Sequence, residues 1–532
     1  MSDFAASRAP LSSREYLFLG CTILFWAAFV VLLGKDTSWD FRNYHWYGPY
    51  ALLNDRAGMD VAVAHLGSWY NPYLDVPFYL LATGTSSWFA LACLGAVHGA
   101  NVVPLYLLAR HSLRVPDAPL WAGALAILGQ TGALTLTEMG TTYYDNVVSL
   151  FALTGLCILV VRRETFREGP LRTGASLALL AGFITGSAMG LKLPAMPFCA
   201  GFAAALFALG GDRRHLAARV VAGGIGGVAG VALFAAPWML SVYQETGNPL
   251  FPYFNDIWKS PLALEAHYRD LRFVPTDPWR RLFFPFLFSA DWHITGDLGF
   301  QDIRVAVAYC AVIAAAAAWA LGRRNRDPLA FTGAALPVLA FAAASYIAWV
   351  QMFAIYRYIV TLEMLAPLAI VMAVGLMPGP RRSRFIALGV IGFAVLLTSR
   401  SDYLERAPVD DPYIQVALPP IPRPDRTMVV MAGDAPLGFI ATALPPQIPV
   451  LRIDGWMVQP RDGTGLTRMM RARVAAHLKA GGELYLIAET TDMVRAREAV
   501  EDYGLAIRLP QCQQFDTNLV GTYQWCPLAR RP

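Results

Sequence analysis

Residues 36–47 of the chain read DTSWDFRNYHWY and come directly after its first long apolar run. The stretch combines two carboxylates, one arginine, one histidine and four aromatic rings that carry a polar group. It is too polar to stay in lipid, and such rings favour the boundary between membrane and water. Carboxylates held beside material of low dielectric constant are candidates for acid–base chemistry. The alternative is an ordinary aromatic belt with solvated charges.

The composition places the chain among membrane proteins. Of its 532 residues, 56% are hydrophobic and only 15% are charged, whereas about a quarter of a soluble protein is charged. We therefore predict an α-helical polytopic membrane protein. The net charge of +5 comes from basic residues spread between apolar runs, so we expect no nucleic-acid partner. No cleavage-site pattern follows the first run, which predicts a retained span and not a removed signal.

Eleven apolar runs have about the length that a membrane-spanning helix needs. The run at 174–210 is interrupted by Lys192 and Pro194, so it could be two helices joined by a tight turn or one broken helix. The predicted spans are residues 16–34, 88–109, 118–137, 143–161, 174–191, 194–210, 220–241, 303–321, 329–350, 358–377 and 385–399.

Arginines in the short connecting segments predict the orientation of the chain. If the N-terminus is cytoplasmic, every predicted inside segment is basic, and an odd number of spans places the C-terminal region outside. The arginines concerned are Arg8, Arg14, Arg110, Arg114, Arg162, Arg163, Arg167, Arg172, Arg213, Arg214, Arg219, Arg323, Arg324, Arg326, Arg381, Arg382 and Arg384. Residues 1–400 thus form the predicted transmembrane domain, with a first loop at 35–87 and a second loop at 242–302 on the outside.

The two loops differ in character. In the first loop, residues 44–54 could form an amphipathic helix at the membrane surface. The second loop is rich in aromatic residues, prolines and arginines. Rings together with Arg280 and Arg281 suit a lipid headgroup that carries phosphate, and His293 follows in the same loop. The alternative is a loop that covers the helices through aromatic packing.

After a proline-rich linker at 401–425, the composition predicts a soluble domain at 426–532. Strands at 428–433, 449–454 and 483–488 alternate with helices at 464–479 and 491–503, which predicts a small α/β domain with a mostly parallel sheet. Gly433 and Asp434 follow a strand end, where α/β proteins often bind ligands. The domain lacks the glycine-rich phosphate-binding motifs, which favours a supporting or acceptor-binding role. If this end of the chain is extracytoplasmic, Cys512 and Cys526 could form a disulfide.

Ionisable residues collect at the predicted outer ends of the helices. They are Asp145, Lys192, Arg357 and, two turns deeper, Glu363. Together with the first-loop charges they put carboxylates and cations on one side of the membrane. An ion path would spread such groups through the membrane depth, whereas an enzyme acting at the surface collects them at one face. The alternative is a set of structural ion pairs that tie helix ends together.

Four motifs in this order resemble the GT-C superfamily of polytopic glycosyltransferases, and more narrowly the bacterial protein O-mannosyltransferases and lipid A aminoarabinose transferases. Asp40 is followed by Tyr44-His45, Asp145 stands at a helix start, and Lys192 ends Gly-Leu-Lys. The fourth motif is Gly-Asn-Pro at 247–249 with a later proline, followed further on by Arg357-Tyr358. The resemblance covers about residues 16–400 and implies inverting transfer of a sugar from a polyprenyl-phosphate or polyprenyl-diphosphate carrier to an acceptor outside the bacterial inner membrane.

The resemblance makes Asp40 the catalytic base, and residue chemistry supports this because a carboxylate can take the proton of an acceptor hydroxyl. Beside Trp39 and the membrane surface, the pKa of Asp40 could be raised. We expect Lys192 and Arg357, with Arg280 and Arg281 behind them, to bind the leaving phosphate. The remaining candidates are His45, which could bind the phosphate or orient Asp40, and Asp36, Tyr44, Asp145 and His293 as substrate-binding residues.

Asp145 could bind sugar hydroxyls or share a metal with Asp40. Members of the family often carry two adjacent acidic residues at the first-loop site, whereas Asp36 and Asp40 are four apart, so a divalent metal is possible but is not predicted. The expected partners are a lipid-linked sugar, an acceptor that is a protein, lipid or polysaccharide, and membrane lipids. Two other functions compete: a transporter or flippase for a lipid-linked saccharide, and a non-catalytic scaffold in envelope assembly.

Overall fold

The computed structural model describes residues 10–531 except Arg324, Arg326 and Tyr403. Arg8, Arg324 and Arg326, which contribute to the predicted orientation, therefore lie outside the described residues. The bundle and its loops contain the helices α1 Ser13–Leu33, α2 Trp46–Leu53, α3 Val76–Gly84, α4 Ser87–Gly99, α5 Val102–Ser112, α6 Ala118–Gln130, α7 Ala133–Thr137, α8 Asp145–Val161, α9 Arg163–Glu168, α10 Leu171–Leu191, α11 Met196–Ala208, α12 Arg213–Thr246, α13 Asn255–Trp258, α14 Pro278–Ala290, α15 Arg304–Ala320, α16 Thr332–Met352, α17 Val360–Leu376 and α18 Arg381–Thr398.

Six helical segments in the described part of the chain are long and apolar enough to cross a membrane. They are Ser13–Leu33, Ser87–Ser112, Leu171–Leu191, Arg213–Thr246, Thr332–Met352 and Tyr356–Leu376. Four shorter apolar helices accompany them: Ala118–Gln130, Asp145–Val161, Leu193–Ala208 and Arg304–Ala320. Each predicted apolar run lies on helical structure, but the number of eleven spans stays a prediction.

The interrupted run at 174–210 forms two helices, α10 and α11, with Lys192 and Pro194 in the connection. Proline lacks the N–H that a continuous helix would need, and it biases the preceding residue away from helical geometry. Glycines bring α10 close to α12, because a Cβ on Gly182 or Gly186 would lie only 2.1 Å from a backbone oxygen of α12. This backbone packing fixes the end of α10, and with it the position of Lys192.

The C-terminal domain contains α19 Gly438–Ala441, α20 Gly465–Lys479 and α21 Met493–Asp502 with strands β5 Thr427–Met431, β6 Val450–Arg452, β7 Glu483–Glu489, β8 Leu505–Ile507, β9 Gln513–Asp516 and β10 Thr522–Arg530. Its six-stranded sheet has the order β6-β5-β7-β10-β8, and β9 pairs with β10. The short strands β1 Lys35–Asp36 and β4 Arg406–Ala407 form one further pair, and β2 Phe300–Gln301 and β3 Arg400–Ser401 form another.

The prediction of a mostly parallel sheet is wrong. Strand β5 pairs parallel with β6 and β7, but β10 pairs antiparallel with β7, β8 and β9. The connection between β9 and β10 is too short for the crossover that a parallel pair requires. The predicted disulfide between Cys512 and Cys526 is present and joins the segment before β9 to β10.

The C-terminal domain packs directly on the first loop. Val61 forms a parallel bridge with Leu451, and the Arg56 side chain donates to the carbonyl of Ile448 at 2.7 Å. Tyr413 of the linker is buried against Trp46, with their ring centroids 5.6 Å apart. Helix α2, which lies within the predicted helix at 44–54, thus packs through Trp46 on the linker and this domain, and its last residues Leu52 and Leu53 are exposed.

Candidate functional site

The stretch that opens the sequence folds into a π-helical turn, Phe41–His45, which continues into α2. Asp40 stands directly before this turn. Single π-helical turns are rare and occur frequently at functional sites. Phe41 is buried and packs its ring against Trp46 and Tyr413. The apolar side of the turn is therefore anchored, and Asp40 and Tyr44 are left to face the helical bundle.

Asp40 forms an ion pair with Arg357, whose Nη1 lies 3.0 Å from Asp40 Oδ2. The hydroxyl of Tyr44 donates a second hydrogen bond to the same carboxylate. Arg357 also lies over the rings of Tyr143 at 4.5 Å and Tyr358 at 5.2 Å. The side chains of Asp40 and Arg357 remain 15% and 21% exposed, so the pair is oriented and still open to a ligand.

The expectation that the pKa of Asp40 is raised is wrong. Burial raises the pKa of this carboxyl, but the charges of Arg357 and His45 and the hydrogen bond from Tyr44 outweigh burial and hold it below its ordinary value. Asp40 is therefore ionised at neutral pH and able to accept a proton, although the depressed pKa makes it a weaker base.

A second ion pair adjoins the first. Lys192 Nζ lies 2.5 Å from Asp145 Oδ1 and donates to the carbonyl of Tyr143 at 2.6 Å. The same ammonium group lies 5.6 Å from the centroid of the Tyr358 ring. Tyr143 and Tyr358 therefore contact both cations, and the two ion pairs form one group, which we call the paired-charge site: Asp40, Arg357, Asp145 and Lys192.

His45 does not pair with Asp40. Its Nδ1 lies 2.7 Å from Asp75 Oδ1, and its ring lies edge-on to Tyr144. Burial raises the pKa of Asp75, and His45 opposes this rise. Sequence analysis missed Asp75, although an acidic residue just before a helix start in the first loop was a visible signal.

Tyrosines from both loops line one side of the site. Tyr70 of the first loop packs against Tyr44 at 5.2 Å and stacks on Tyr253 of the second loop at 5.7 Å. Burial raises the pKa of Tyr70 to about 12, so its hydroxyl is a hydrogen-bond donor at neutral pH. Sequence analysis did not single out Tyr70 or Tyr253, although Tyr253 directly follows the motif at 247–252.

Asp36 and Glu363 are bound to backbone groups. Asp36 is buried, and its carboxylate accepts hydrogen bonds from Ser38 N, Thr142 N and the Thr142 hydroxyl. Glu363 accepts from the amides of Leu134 and Thr135 at the start of α7. Both carboxylates thus hold connecting segments together, and Asp36 is not open to the substrate-binding role predicted for it.

The other predicted residues of the second loop lie on an exposed surface. Arg280 and Arg281 are on the exposed side of α14, where Arg281 Nε donates to the carbonyl of Pro275. His293 is 70% exposed, pairs with Asp291 and stacks on Trp292. These contacts are with neighbouring residues of the same loop and do not include the paired-charge site.

Glu138 is a buried acidic residue that sequence analysis did not select. It is 1% exposed, and neither carboxylate oxygen has a hydrogen-bond partner among the described residues. Asp145 Oδ2 is likewise buried without a partner there. Burial and the neighbouring Asp145 raise the pKa of Glu138 well above its ordinary value, which favours a protonated, neutral side chain at this position.

The arrangement combines an ionised carboxylate that can accept a proton with two cations that can stabilise an anionic group. Among the described residues, no cluster of three or more histidine, cysteine, aspartate or glutamate side chains could hold a metal ion. Comparisons with protein-family models, with curated proteins and with solved structures gave no match to this chain.

Proposed function

We propose that the chain is a GT-C-type membrane glycosyltransferase that moves a sugar from a polyprenyl-phosphate or polyprenyl-diphosphate carrier to an acceptor hydroxyl, with inversion. The observation that carries this proposal is the paired-charge site. It joins a partly exposed carboxylate, Asp40, to two cations, Arg357 and Lys192, within one cluster. This reaction requires a base that accepts the proton of the nucleophile and cations that stabilise the leaving phosphate.

In the proposed reaction, the acceptor oxygen forms a bond to the anomeric carbon while its proton passes to Asp40. The bond from that carbon to the carrier phosphate breaks, and its electron pair stays on the phosphate oxygen. Arg357 and Lys192 stabilise this developing charge. Tyr44 orients Asp40, and Asp145 positions Lys192 through their ion pair.

Arg357 has two possible anionic partners in this reaction. Without substrate it pairs with Asp40. A donor phosphate would compete for the same guanidinium, and loss of that partner raises the pKa of Asp40. Donor binding would therefore make Asp40 a stronger base just when the acceptor hydroxyl needs one.

The proposal includes a location and an orientation. We place the protein in the bacterial inner membrane with eleven spans, a cytoplasmic N-terminus and a periplasmic C-terminal domain. Support comes from the apolar helices and from the arginine pattern of the connecting segments. The disulfide between Cys512 and Cys526 also fits an oxidising compartment.

Helix α14 is proposed to contact membrane lipids and the carrier. Its exposed side carries large apolar residues at helical spacing, namely Trp279, Leu282, Phe283, Phe286 and Leu287, next to Arg280 and Arg281. Its other side packs Phe288 against Tyr356, with ring centroids 5.2 Å apart, and Tyr356 directly precedes Arg357. On this proposal, the two arginines bind lipid phosphates at the membrane surface and do not act at the reacting atoms.

The test is transfer of radiolabelled sugar from a panel of polyprenyl-phosphate sugars by the purified chain in lipid. Asp40→Asn should abolish transfer to any acceptor, including water, while the protein still folds. The matched control is Asp297→Asn, because Asp297 of the second loop is 78% exposed and should be dispensable for transfer. Equal turnover by Asp40→Asn and the control would refute Asp40 as the base. Movement of intact donor across the bilayer without transfer would establish the transporter instead.

A further inference from the structure

The C-terminal domain contacts the turn that carries Asp40 at several points. The indole Nε1 of Trp39 donates to the carbonyl of Asp434 at 3.1 Å. On the other side of Asp40, Trp46 Nε1 donates to the hydroxyl of Thr442 at 3.2 Å. Both acceptors lie in the segment around α19, between strands β5 and β6. Residues 39–46, which we call the Asp40 turn, are thus held at both ends by one segment of the domain.

Between these hydrogen bonds the two backbones touch. A Cβ placed on Gly438, the first residue of α19, would lie 2.1 Å from the carbonyl oxygen of Asn43 and 3.0 Å from its carbonyl carbon. Asn43 is fully buried and belongs to the π-helical turn. Only glycine allows this approach, and the obstacle is backbone, which cannot rotate away as a side chain would.

We infer that the C-terminal domain is the positioning element of the paired-charge site, with Gly438 as the positioning residue that lets α19 hold the Asp40 turn against Arg357. The inference rests on the proposed function for its catalytic consequence. The cations stand elsewhere: Lys192 follows α10, and Arg357 precedes α17. The domain therefore sets where the base lies, while the helical bundle sets where the phosphate-binding cations lie.

Because the domain positions the base and the bundle positions the cations, a change at Gly438 should have a specific kinetic effect. Gly438→Ala should displace the Asp40 turn and lower kcat on the order of 100-fold, as is typical of a misplacement near 1 Å. KM for the donor should not rise, because the bundle still holds the cations and Asp40 no longer competes for Arg357. The acid limb of the kcat/KM profile should move to higher pH, since Asp40 loses contact with Arg357 and its pKa rises. A loss of folded protein alone would lower the transfer rate at every pH and leave the acid limb at the same pH.

Two glycines provide matched controls. A Cβ on Gly84 at the end of α3 meets nothing within 4 Å. A Cβ on Gly482 would crowd the His477 ring at 2.2 Å, just before β7 and at the end of the sheet away from the Asp40 turn. Gly84→Ala tests the substitution itself, and Gly482→Ala tests crowding inside the domain. A milder variant, Thr442→Val, removes the acceptor for Trp46 together with the local hydrogen bond from the Thr442 hydroxyl to the carbonyl of Phe439. It should lower kcat by about twofold to tenfold.

The experiment uses the full chain in lipid and adds hydrogen exchange of the peptide covering residues 37–47. Faster exchange there in Gly438→Ala, but not in either control, together with the displaced acid limb, would support the inference. If Gly438→Ala shows the same hydrogen exchange and the same kcat/KM profile as Gly482→Ala, the inference is overturned. Absence of transfer by the unmodified chain would instead refute the proposed function, and the exchange measurement would still decide the inference. If Gly438→Ala does not fold, unchanged exchange in Thr442→Val would overturn it.

Discussion

Replacing Arg357 by methionine should move the acid limb of the kcat/KM profile to higher pH. The guanidinium lies 3.0 Å from Asp40 Oδ2 and is the largest influence that opposes the effect of burial on the pKa of this carboxyl. Two unit charges about 4 Å apart interact by about 4 kcal/mol at an effective dielectric constant of about 20. His45 and Tyr44 remain in Arg357→Met, so we expect the pKa of Asp40 to rise by about 1 to 3 units.

The sign follows from the form of Asp40 that reacts. The base works when ionised, and its depressed pKa keeps it ionised well into the acidic range. In Arg357→Met the carboxyl takes up its proton at higher pH, so kcat/KM falls earlier as the pH is lowered. The kcat/KM profile is the right observable because it reports the free enzyme, in which Arg357 pairs with Asp40.

Lys192→Met is the matched comparison, because Lys192 pairs with Asp145. Both variants should lose rate through weaker stabilisation of the leaving phosphate, but only Arg357→Met should displace the limb by 1 unit or more. The assay is the initial rate of sugar transfer at low donor concentration over the acidic and neutral range. If both variants lose the same fraction of kcat/KM and the acid limb moves in neither, the ion pair with Arg357 does not control the pKa of Asp40.

Three further variants separate structure from chemistry. Replacing Cys512 and Cys526 together by serine removes a disulfide between residues 14 positions apart and should cost about 3 kcal/mol of domain stability. The unfolding temperature should fall, and the acid limb of the kcat/KM profile should stay in place. Asp36→Asn should cost about 1–3 kcal/mol of stability, because the two carboxylate oxygens together accept three hydrogen bonds and the amide replaces one of them by an NH2 group that can only donate. A normal melting temperature would contradict this. Phe283→Glu places a charge on the exposed apolar side of α14. It should raise KM about tenfold for a donor with a long lipid chain and leave KM unchanged for a short-chain analogue. Equal changes in KM for both donors would argue against contact between α14 and lipid.

Segments with strong local patterns could be predicted from the sequence. Each predicted apolar run lies on helical structure, and the strands and helices of the C-terminal domain lie close to their predicted positions. Such features depend on residues near one another in the chain. The sheet was predicted less well, because β10 returns antiparallel beside β7. Nothing in the composition of residues 522–530 distinguishes that pairing from a parallel one.

Part of the site could also be predicted. Asp40, Tyr44, Asp145, Lys192 and Arg357 come together, in line with the prediction that the first loop and the outer ends of the helices lie on one side of the membrane. Tyr70 and Tyr253 were not predicted, because a tyrosine in a loop has no distinctive local pattern. The role of the C-terminal domain was equally hidden, since the contact between Gly438 and Asn43 joins residues nearly 400 positions apart and requires only the absence of a side chain.

The error about the pKa of Asp40 shows why the remainder needs three-dimensional information. Neighbours in sequence, Trp39 and Phe41, indicate burial, and burial alone raises the pKa of a carboxyl. The group that reverses this effect is Arg357, which is 317 positions away and meets Asp40 only when the first loop folds back on α17. Desolvation is thus visible locally, whereas the compensating charge is not. A buried acid predicted from its neighbours alone will tend to be assigned too high a pKa, and the kcat/KM profile of Arg357→Met measures the size of that error.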